Sequence, residues 1–283
     1  MILGFTYDEK IFNKKNRELL LKAEALGLKS LELSPDLNIM SKEEYEDVMR
    51  FAEKENLGIH YHIPYFASEY YSPKYLISDE ETVLKKYDEF FGLLKDLDDI
   101  YSNKSTVILH GEDFLPPEDK SYERTEKIVR YCLQKIEELN LDFRVAIETL
   151  RGGKKRIVGD CHEDLLYLMD KVDSERFGIC LDICHDCMNT FPYKPFYSEK
   201  FLKNLIHVHA HGIDLSDNNP HISIIKSSVN FMDIILFLKE RKPELNLNIE
   251  LLSDYSGDET YISDLFFDLH ILDSLITPII VEE

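Results

Sequence analysis

The amino-acid sequence predicts an α/β fold, a (β/α)8 (TIM) barrel, from three observations. Its 283 residues match the usual length of one such barrel. Short apolar segments alternate eight times with longer segments of helical spacing. The apolar segments are continuous rather than alternating, which is typical of parallel strands buried on both faces. The alternative, a doubly wound open sheet, is disfavoured because no glycine-rich phosphate-binding pattern follows the first apolar segment.

The strand–helix pairs in the first half of the chain have recognisable limits. Ser41 is expected to cap the second helix, which should end at Gly58, and Ser78 is the expected cap of the third helix. Pro64 ends the third strand, because proline has no N–H for the hydrogen-bond ladder. In order, the pairs are ILGFTY with KKNRELLLKAEALG, SLELSP with SKEEYEDVMRFAEKENLG, IHYHIP with SDEETVLKKYDEFFGLLKDL, and STVILHG with SYERTEKIVRYCLQKIEELN.

The second half of the chain continues the pattern and contains no low-complexity linker. After the sixth strand, a loop with Pro192 and Pro195 leads to a short helix near SEKFLKN. We therefore expect one barrel domain over residues 1–276 and a C-terminal tail over residues 277–283. The pairs are FRVAIET with CHEDLLYLMDKV, FGICLDI with SEKFLKN, LIHVHAH with SSVNFMDIILFLKER, and LNIELL with DETYISDLFFDLHILDSLI.

Charge and composition narrow the classes of partner. The formal net charge is −21, from 54 acidic against 33 basic residues, so the chain as a whole is not attracted to nucleic acid or anionic lipid. A local basic site stays compatible with this charge, because screening limits electrostatic effects to about 10 Å at 0.1 M salt. No stretch reaches the ~20 apolar residues of a membrane span, and the N-terminus lacks signal-peptide features. The five cysteines are an odd number, so reduced thiols and a cytoplasmic location are expected.

Every predicted strand from the third to the eighth ends in a residue type that binds metals. In a barrel of this kind the carboxyl ends of the strands carry the chemistry, so these side chains converge. Burying them without partners costs on the order of several kcal/mol each, and a shared divalent ion removes that cost. The sequence therefore predicts a divalent-metal site at this face. Its candidate ligands are His62, His110, Glu148, Asp182, His209 and Glu250 at the strand ends, with His185 and His221 in the loops after the sixth and seventh strands.

The seventh strand, within LIHVHAHGID, carries three histidines on one face because they are two residues apart. Depth separates them. His209 is level with the other strand-end residues, His207 lies one layer deeper, and His211 is expected at the rim, in contact with substrate or solvent. Glu32 ends the second strand at the same rim, and we expect it to support a metal ligand rather than to be one.

Seven short motifs lie at these strand ends, namely HIPY, LHG, IETLRGG, CLDICH, HAHG, NPH and IELL. Together they resemble the xylose isomerase-like barrel superfamily and, within it, endonuclease IV. The most specific match is CLDICH, which carries Asp182 and His185. In NPH, His221 matches the family pattern, but Asn219 stands where the family has an aspartate.

The resemblance to endonuclease IV implies up to three zinc ions. The third site is the weakest, because the amide of Asn219 is a poorer ligand than a carboxylate, and Asp217 is a candidate substitute. The related sugar isomerases and epimerases use only the ligand set of the second ion, with one Mn²⁺, Mg²⁺ or Co²⁺. The implied sets are His62, His110 and Glu148 for the first ion, Glu148, Asp182, His209 and Glu250 for the second, and His185 with His221 for the third.

Two enzymatic functions stay open on these residues. The first is a phosphate-ester hydrolase that resembles endonuclease IV, in which metal-bound hydroxide is the nucleophile and Glu148 bridges two ions. Its substrate would be a small phosphorylated molecule, or a nucleic-acid end or nick. The second is a sugar or sugar-phosphate isomerase or epimerase, in which one metal binds the substrate oxygens. Glu148 and Glu250 would then form the catalytic acid/base pair.

Two further features concern the substrate. The loop RGGKKR after the fifth strand is a basic patch on an acidic protein, and it is interpreted either as a phosphate grip or as a solvated loop. Tyr65, after the third strand, is placed either in the substrate pocket or in the packing of the rim. The basic residues of the loop are Arg151, Lys154, Lys155 and Arg156. Eight of the nine family ligand positions match, which favours the hydrolase over the isomerase and disfavours a binding module without catalysis.

Overall fold

The eight predicted apolar segments form a closed parallel barrel in the computed structural model of the chain. The structure describes residues 1–12, 17–112, 119–152, 157–190, 193–217, 219–256 and 258–277. Around the barrel the hydrogen-bonded order is β1, β10, β7, β6, β5, β4, β3, β2, which confirms the predicted fold class. The barrel strands are β1 (Ile2–Thr6), β2 (Ser30–Leu33), β3 (Gly58–His62), β4 (Ser105–Leu109), β5 (Phe143–Glu148), β6 (Phe177–Asp182), β7 (Leu205–Ala210) and β10 (Asn246–Ile249).

The barrel strands are buried on both faces, as their continuous apolar character predicts. Inward-facing residues form layers. Ile108, Ala146 and Cys180 make a small apolar cluster inside the barrel. Because side chains two residues apart share a face, the residues that follow this cluster along the same strands point inward one layer higher. Those residues are His110, Glu148 and Asp182. The apolar layer therefore supports the polar layer at the carboxyl ends of the strands.

Helices connect the strands and cover the barrel. Ser41 caps the second of them with a capping box that includes Glu44, as the sequence predicts. The bounds of the helices are α1 (Arg17–Ala25), α2 (Lys42–Glu55), α3 (Glu80–Asp98), α4 (Asp119–Glu138), α5 (His162–Val172), α6 (Ile183–Asn189), α7 (Glu199–Asn204), α8 (Met232–Arg241), α9 (Ser253–Ser256) and α10 (Asp258–Ile276). Short 3-10 helices lie at Glu69–Tyr71, Pro73–Ile77 and Ile224–Lys226.

Two of the predicted helix limits are wrong. α2 ends at Glu55, and its C-cap Asn56 takes the left-handed conformation at φ 54°, while the expected stop, Gly58, already begins β3. α3 is capped by Asp79 rather than by Ser78, because the Asp79 carboxylate accepts the N–H of Thr82. In both places, a residue one or two positions from the expected one can also cap the helix, and it does so in the structure.

Two elements near the carboxyl ends of the strands go beyond the predicted eight pairs. α6 starts directly after β6, with Asp182 as its N-cap. A hairpin of β8 (Gly212–Asp214) and β9 (Asn219–Ile222) follows β7. These two elements carry His185 and His221, which the sequence placed in loops.

Three further predictions concern the cysteines, membrane-spanning helices and the domain limits. The five cysteines, all of them among the described residues, form no disulfide with one another. Among the described residues, no helix has both the length and the apolar character that a bilayer crossing needs. The domain limits stay a prediction, and residues 278–283 of the expected tail lie outside the described residues.

Candidate metal centre

The carboxyl ends of the strands bring the six strand-end candidates into one buried cluster. The strand register places Asp182 directly beside His209 on the neighbouring strand. The side chains of Glu148, Asp182 and His209 are 1%, 0% and 0% exposed, respectively. His62 ends β3, whereas His110 and Glu250 follow β4 and β10 by one residue. The structure therefore places the predicted candidates on one face of the barrel.

One oxygen of Glu148 faces two imidazoles. Its Oε2 lies 3.2 Å from His62 Nε2 and 3.0 Å from His110 Nε2. The Nδ1 atom of His62 lies 2.8 Å from the main-chain oxygen of Ile63, so its N–H donates there and Nε2 is the ring nitrogen that faces Glu148. The ligand atoms of His62, His110 and Glu148 all lie within 4.8 Å of one another. They form the first group of candidate ligands.

The other oxygen of Glu148 belongs to a second group. Its Oε1 lies 3.1 Å from His209 Nδ1, which is also 3.4 Å from Glu250 Oε2. The ligand atoms of Glu148, Asp182, His209 and Glu250 lie within 4.8 Å of one another. Glu148 therefore offers one oxygen to each group, which is the arrangement of a carboxylate that bridges two ions.

Three imidazoles form a third group. His185, His211 and His221 offer ring nitrogens within 4.8 Å of one another. The expectation that His211 lies at an exposed rim is wrong, because its side chain is 0% exposed. The β8–β9 hairpin returns over the end of β7, and the His221 ring stacks on the His211 ring with centroids 4.0 Å apart. Asp217 is exposed, and its carboxylate accepts the N–H of Asn219.

Glu32 lies beneath the second group, on the far side of His209. Its Oε2 accepts a hydrogen bond from His209 Nε2 at 2.9 Å and lies 3.0 Å from His207 Nε2. This contact fixes the His209 tautomer, because Nε2 then carries the proton and Nδ1 faces the carboxylates of the second group. The sequence signal for this support is a glutamate within the short, mostly apolar segment SLEL. Its burial and its partner across the barrel become visible only in the structure.

The electrostatics of the cluster favour positive charge. Burial alone would raise the pKa of Glu148, but the charge of His209 and hydrogen bonds from three imidazoles hold that pKa well below its usual range. Burial opposes a charge on His62, yet the bond to Glu148 raises the pKa of His62 to about 9. The carboxylates therefore remain ionised and gather protons or cations around them.

Unpaired buried atoms test whether the residues fit a metal ion. Among the described residues, Asp182 Oδ2, Glu250 Oε2 and His211 Nε2 are buried without a hydrogen-bond partner. Such orphaned acceptors cost free energy unless a cation or proton satisfies them. Carboxylate oxygens and imidazole nitrogens at these mutual distances are the donors that divalent ions take. The donor set therefore fits divalent metal.

The residues predicted to contact substrate are Tyr65 and the basic loop after β5, and the structure describes only part of this set. The Tyr65 ring stacks on the His110 ring with centroids 4.2 Å apart, and its hydroxyl accepts the N–H of His110. Tyr65 thus packs on a candidate ligand at the edge of the cluster. Arg151 is half-buried just after β5. The rest of the basic loop, Lys154, Lys155 and Arg156, lies outside the described residues.

Comparison with known proteins shows the family to which the chain belongs. The chain belongs to the xylose isomerase-like TIM barrel family, whose model matches residues 20–265. It is 38% identical over 94 residues to a probable endonuclease 4 of Mycoplasmopsis pulmonis, a match that covers 32% of this chain and 34% of that protein. It is 32% identical over 129 residues to a probable endonuclease 4 of Mycoplasmopsis synoviae, covering 44% of each chain. The chain thus matches less than half the length of these curated relatives.

Solved structures agree on the fold. A D-tagatose 3-epimerase-like protein superposes with a TM-score of 0.74 at 18% identity, over 98% of this chain and 97% of the other. At this identity the likeness shows the shared barrel alone. The matched relatives are named as endonucleases, whereas this structural neighbour is named as epimerase-like, so the names do not decide between the two activities.

Proposed function

We propose that the protein is a divalent-metal-dependent enzyme that hydrolyses phosphate esters at the carboxyl-terminal face of the barrel. The observation that carries this proposal is the position of Glu148, whose two oxygens face two different groups of ligands. A one-metal isomerase needs only the second group, and it has no use for His62 and His110 beside the same carboxylate. The segments similar to probable endonuclease 4 proteins point in the same direction.

Different residues of the chain would hold different ions. His62, His110 and Glu148 would hold one ion, and Glu148, Asp182, His209 and Glu250 a second. When bound, such ions supply positive charge that polarises a phosphoryl group and lowers the pKa of water. The burial of Glu148 and Asp182 keeps bulk water away from the centre and strengthens its electrostatic interactions.

Orientation comes from neighbouring groups. Tyr65 holds His110 by stacking and through its main-chain N–H, and Glu32 holds His209. Arg151 stands at the start of the basic loop, and we propose that this loop grips the phosphate of the substrate, with Lys154, Lys155 and Arg156 contributing. A net charge of −21 favours a small phosphorylated substrate, or a nucleic-acid end or nick, over a long duplex.

The test combines a metal count with paired assays on the full chain. Bound Zn²⁺ and Mn²⁺ are counted by mass spectrometry, and activity is measured on bis(p-nitrophenyl) phosphate, on a nicked DNA duplex and on a set of ketohexoses. The hydrolase proposal expects at least two ions per chain and release of a phosphate-ester product. One ion, with ketohexose interconversion and no phosphoester cleavage, would contradict it.

One substitution separates the two groups. His110→Asn should remove one ion and abolish phosphoester cleavage, because it damages only the first group. His162→Asn is the matched control. That imidazole pairs with Asp186 at 2.8 Å and belongs to none of the three groups, so both ion count and activity should stay at the wild-type level. Full activity in His110→Asn would show that the first group is dispensable.

A sugar or sugar-phosphate isomerase or epimerase is the second candidate. In its favour, the ligand atoms of Glu148, Asp182, His209 and Glu250 form a complete group without the other histidines. Glu148 and Glu250 would then be the catalytic residues, moving a proton beside the substrate carbonyl. This function predicts that His110→Asn leaves ketohexose turnover unchanged while Glu250→Gln abolishes it.

A further inference from the structure

The segment that follows β5 is bound along one face of α6. The Asp182 main-chain N–H donates to the Thr149 hydroxyl at 2.7 Å, and that hydroxyl donates to the Asp182 main-chain oxygen at 3.2 Å. The Nδ1 atom of His185 faces the main-chain oxygen of Thr149 at 3.2 Å. His185 and Asn189 are four residues apart in α6, so they share one face of this helix. The contacts along this face therefore continue past the candidate ligands to Asn189.

The Asn189 amide binds the main chain on both sides of Arg151. Its Nδ2 donates to the main-chain oxygen of Leu150 at 2.8 Å, and its Oδ1 accepts the N–H of Gly152 at 2.8 Å. In an extended chain, the C=O of one residue and the N–H two residues later point to the same side, so one amide binds both as a neighbouring strand would. The two bonds together fix the main chain of Arg151, which lies between them.

Gly152 allows the main chain to approach Asn189 this closely. A Cβ atom at this position would lie 2.8 Å from Asp160 Oδ2 and 3.3 Å from Asn189 Oδ1. Asp160 is itself held in place, because its Oδ2 accepts the N–H of Ile157 at 3.1 Å. A side chain at position 152 would therefore displace one of these two groups, and the contact with Asn189 depends on this glycine.

Arg151 is the basic residue of the RGGKKR loop that lies within the described part of the chain, and it is half-buried. It follows Glu148 by three residues, which span roughly 10 Å at full extension, so it stays close to the candidate metal centre. Arginine is always charged, and its planar fork of donors matches two oxygens of a phosphate. Such a fork binds best when its main chain is already fixed, because less freedom is then lost on binding.

We propose that Asn189 is a positioning residue for Arg151, and that it directs the guanidinium towards the phosphoryl group of the substrate. α6 then connects two parts of the site within seven residues, because its first turn carries His185 and its last residue fixes the arginine. A helix, rather than a loop, thus sets the distance between the metal centre and the anion-binding arginine. The proposal rests on the phosphate-ester function and deepens it, since it names what determines where the anionic group is held.

The experiment measures binding of inorganic phosphate to the full chain, loaded with Zn²⁺ and dialysed free of unbound metal, by calorimetric titration. Arg151→Met should weaken phosphate binding roughly 10- to 100-fold, because a charge-assisted hydrogen bond is lost. Asn189→Ala should weaken it roughly 3- to 10-fold, the cost of ordering one side chain on binding. The KM of Asn189→Ala for bis(p-nitrophenyl) phosphate should rise by a similar factor, with kcat and the number of bound ions nearly unchanged.

The two substitutions should not add. In the Arg151→Met background, Asn189→Ala should cause no further loss of phosphate affinity, because Asn189 acts through the arginine. Asn204→Ala is the matched control. Asn204 is also the last residue of a short helix, α7, but its amide donates to the Lys200 main-chain oxygen of the same helix at 2.8 Å. That variant should keep the phosphate affinity of the wild type.

Several results would overturn the positioning role. They are a wild type that binds no phosphate, unchanged phosphate affinity in Asn189→Ala, and an equal loss of affinity with and without the Arg151 side chain. A lower ion count in Asn189→Ala would also overturn it, because Asn189 would then act on the metal ligands of α6 instead. If Asn189→Ala does not fold, as judged by circular dichroism, Asn189→Ser carries the same test, since its short side chain does not reach both main-chain groups.

The same measurements separate this inference from the function on which it rests. If the wild type binds phosphate through Arg151 and Asn189 but cleaves no phosphoester, the proposed function is wrong and the positioning role stands. If the wild type cleaves phosphoesters and Asn189→Ala keeps its KM and phosphate affinity, the function stands and the positioning role is wrong.

Discussion

Glu32 gives the most direct test of how the barrel interior supports the proposed metal centre. It is fully buried, and its Oε2 accepts the His209 Nε2–H at 2.9 Å. Glu32→Gln keeps the size and one oxygen acceptor but removes the negative charge. We expect this variant to fold and to bind metal more weakly at the second group, because His209 becomes a less basic and less firmly oriented ligand.

The size of the effect follows from the hydrogen bond. A bond to a charged group contributes about 1–1.5 kcal/mol more than one between neutral groups. This difference corresponds to a roughly tenfold weaker affinity, at the lower end of the 10- to 100-fold range for residues that support ligands. Glu32→Ala removes the acceptor altogether and leaves the His209 Nε2–H without its charged partner in the core, so we expect the metal-free protein to lose about 3–5 kcal/mol of unfolding free energy.

The assay is calorimetric titration of stripped protein with Mn²⁺, together with denaturant unfolding in the presence of chelator. Glu112→Gln is the matched control. Glu112 is also fully buried, but it pairs with Arg124 through two contacts of 2.6 Å and belongs to none of the three groups of candidate ligands. That variant should lose stability and keep its Mn²⁺ affinity. Wild-type affinity in Glu32→Gln would refute the reasoning that His209 depends on this carboxylate.

Three further predictions follow from single contacts. Glu148→Gln should lose the ions of both Glu148 groups in a metal count, because one amide cannot serve two cations, and retention of two ions would contradict the bridging position. Burial, reinforced by the charges of neighbouring aspartates, raises the pKa of Glu9 to about 7, so its favourable contribution is present at low pH and is lost as pH rises through 7. Glu9→Gln should therefore gain stability relative to the wild type as pH rises from 4.5 to about 7 in thermal melts, with a constant difference above that, and a pH-independent difference would count against it. Asp79→Ala should cost about 1 kcal/mol in denaturant unfolding, whereas Ser78→Ala should cost much less, since Asp79 caps α3.

The fold and much of the candidate site are readable in the sequence because they depend on local periodicity and strand polarity. Continuous apolar segments separated by helices predict parallel strands, and parallel strands in a closed barrel end on the same face. Glu148 and Asp182 could therefore be placed at one site from their positions at strand ends alone. The errors at Asn56 and Asp79 are local, because adjacent residues compete for the same cap.

The depth and partners of side chains could not be read in this way. Alternation along β7 placed the histidines on one face, but the β8–β9 hairpin decided that His211 is buried against His221 rather than open at the rim. Glu32 and His209 are 177 positions apart in the chain, so no local pattern links them.

The sequence by itself determined the barrel, the face that carries the chemistry and the residue types that gather there, because these follow from the period of the hydrophobic pattern and the direction of the strands. The tertiary structure alone decided which oxygen of Glu148 faces which imidazole, which histidines are enclosed and which ring nitrogen faces which neighbour. Those properties depend on contacts between elements distant in the chain, and hydrogen-bond direction and burial exist only once those elements have packed together.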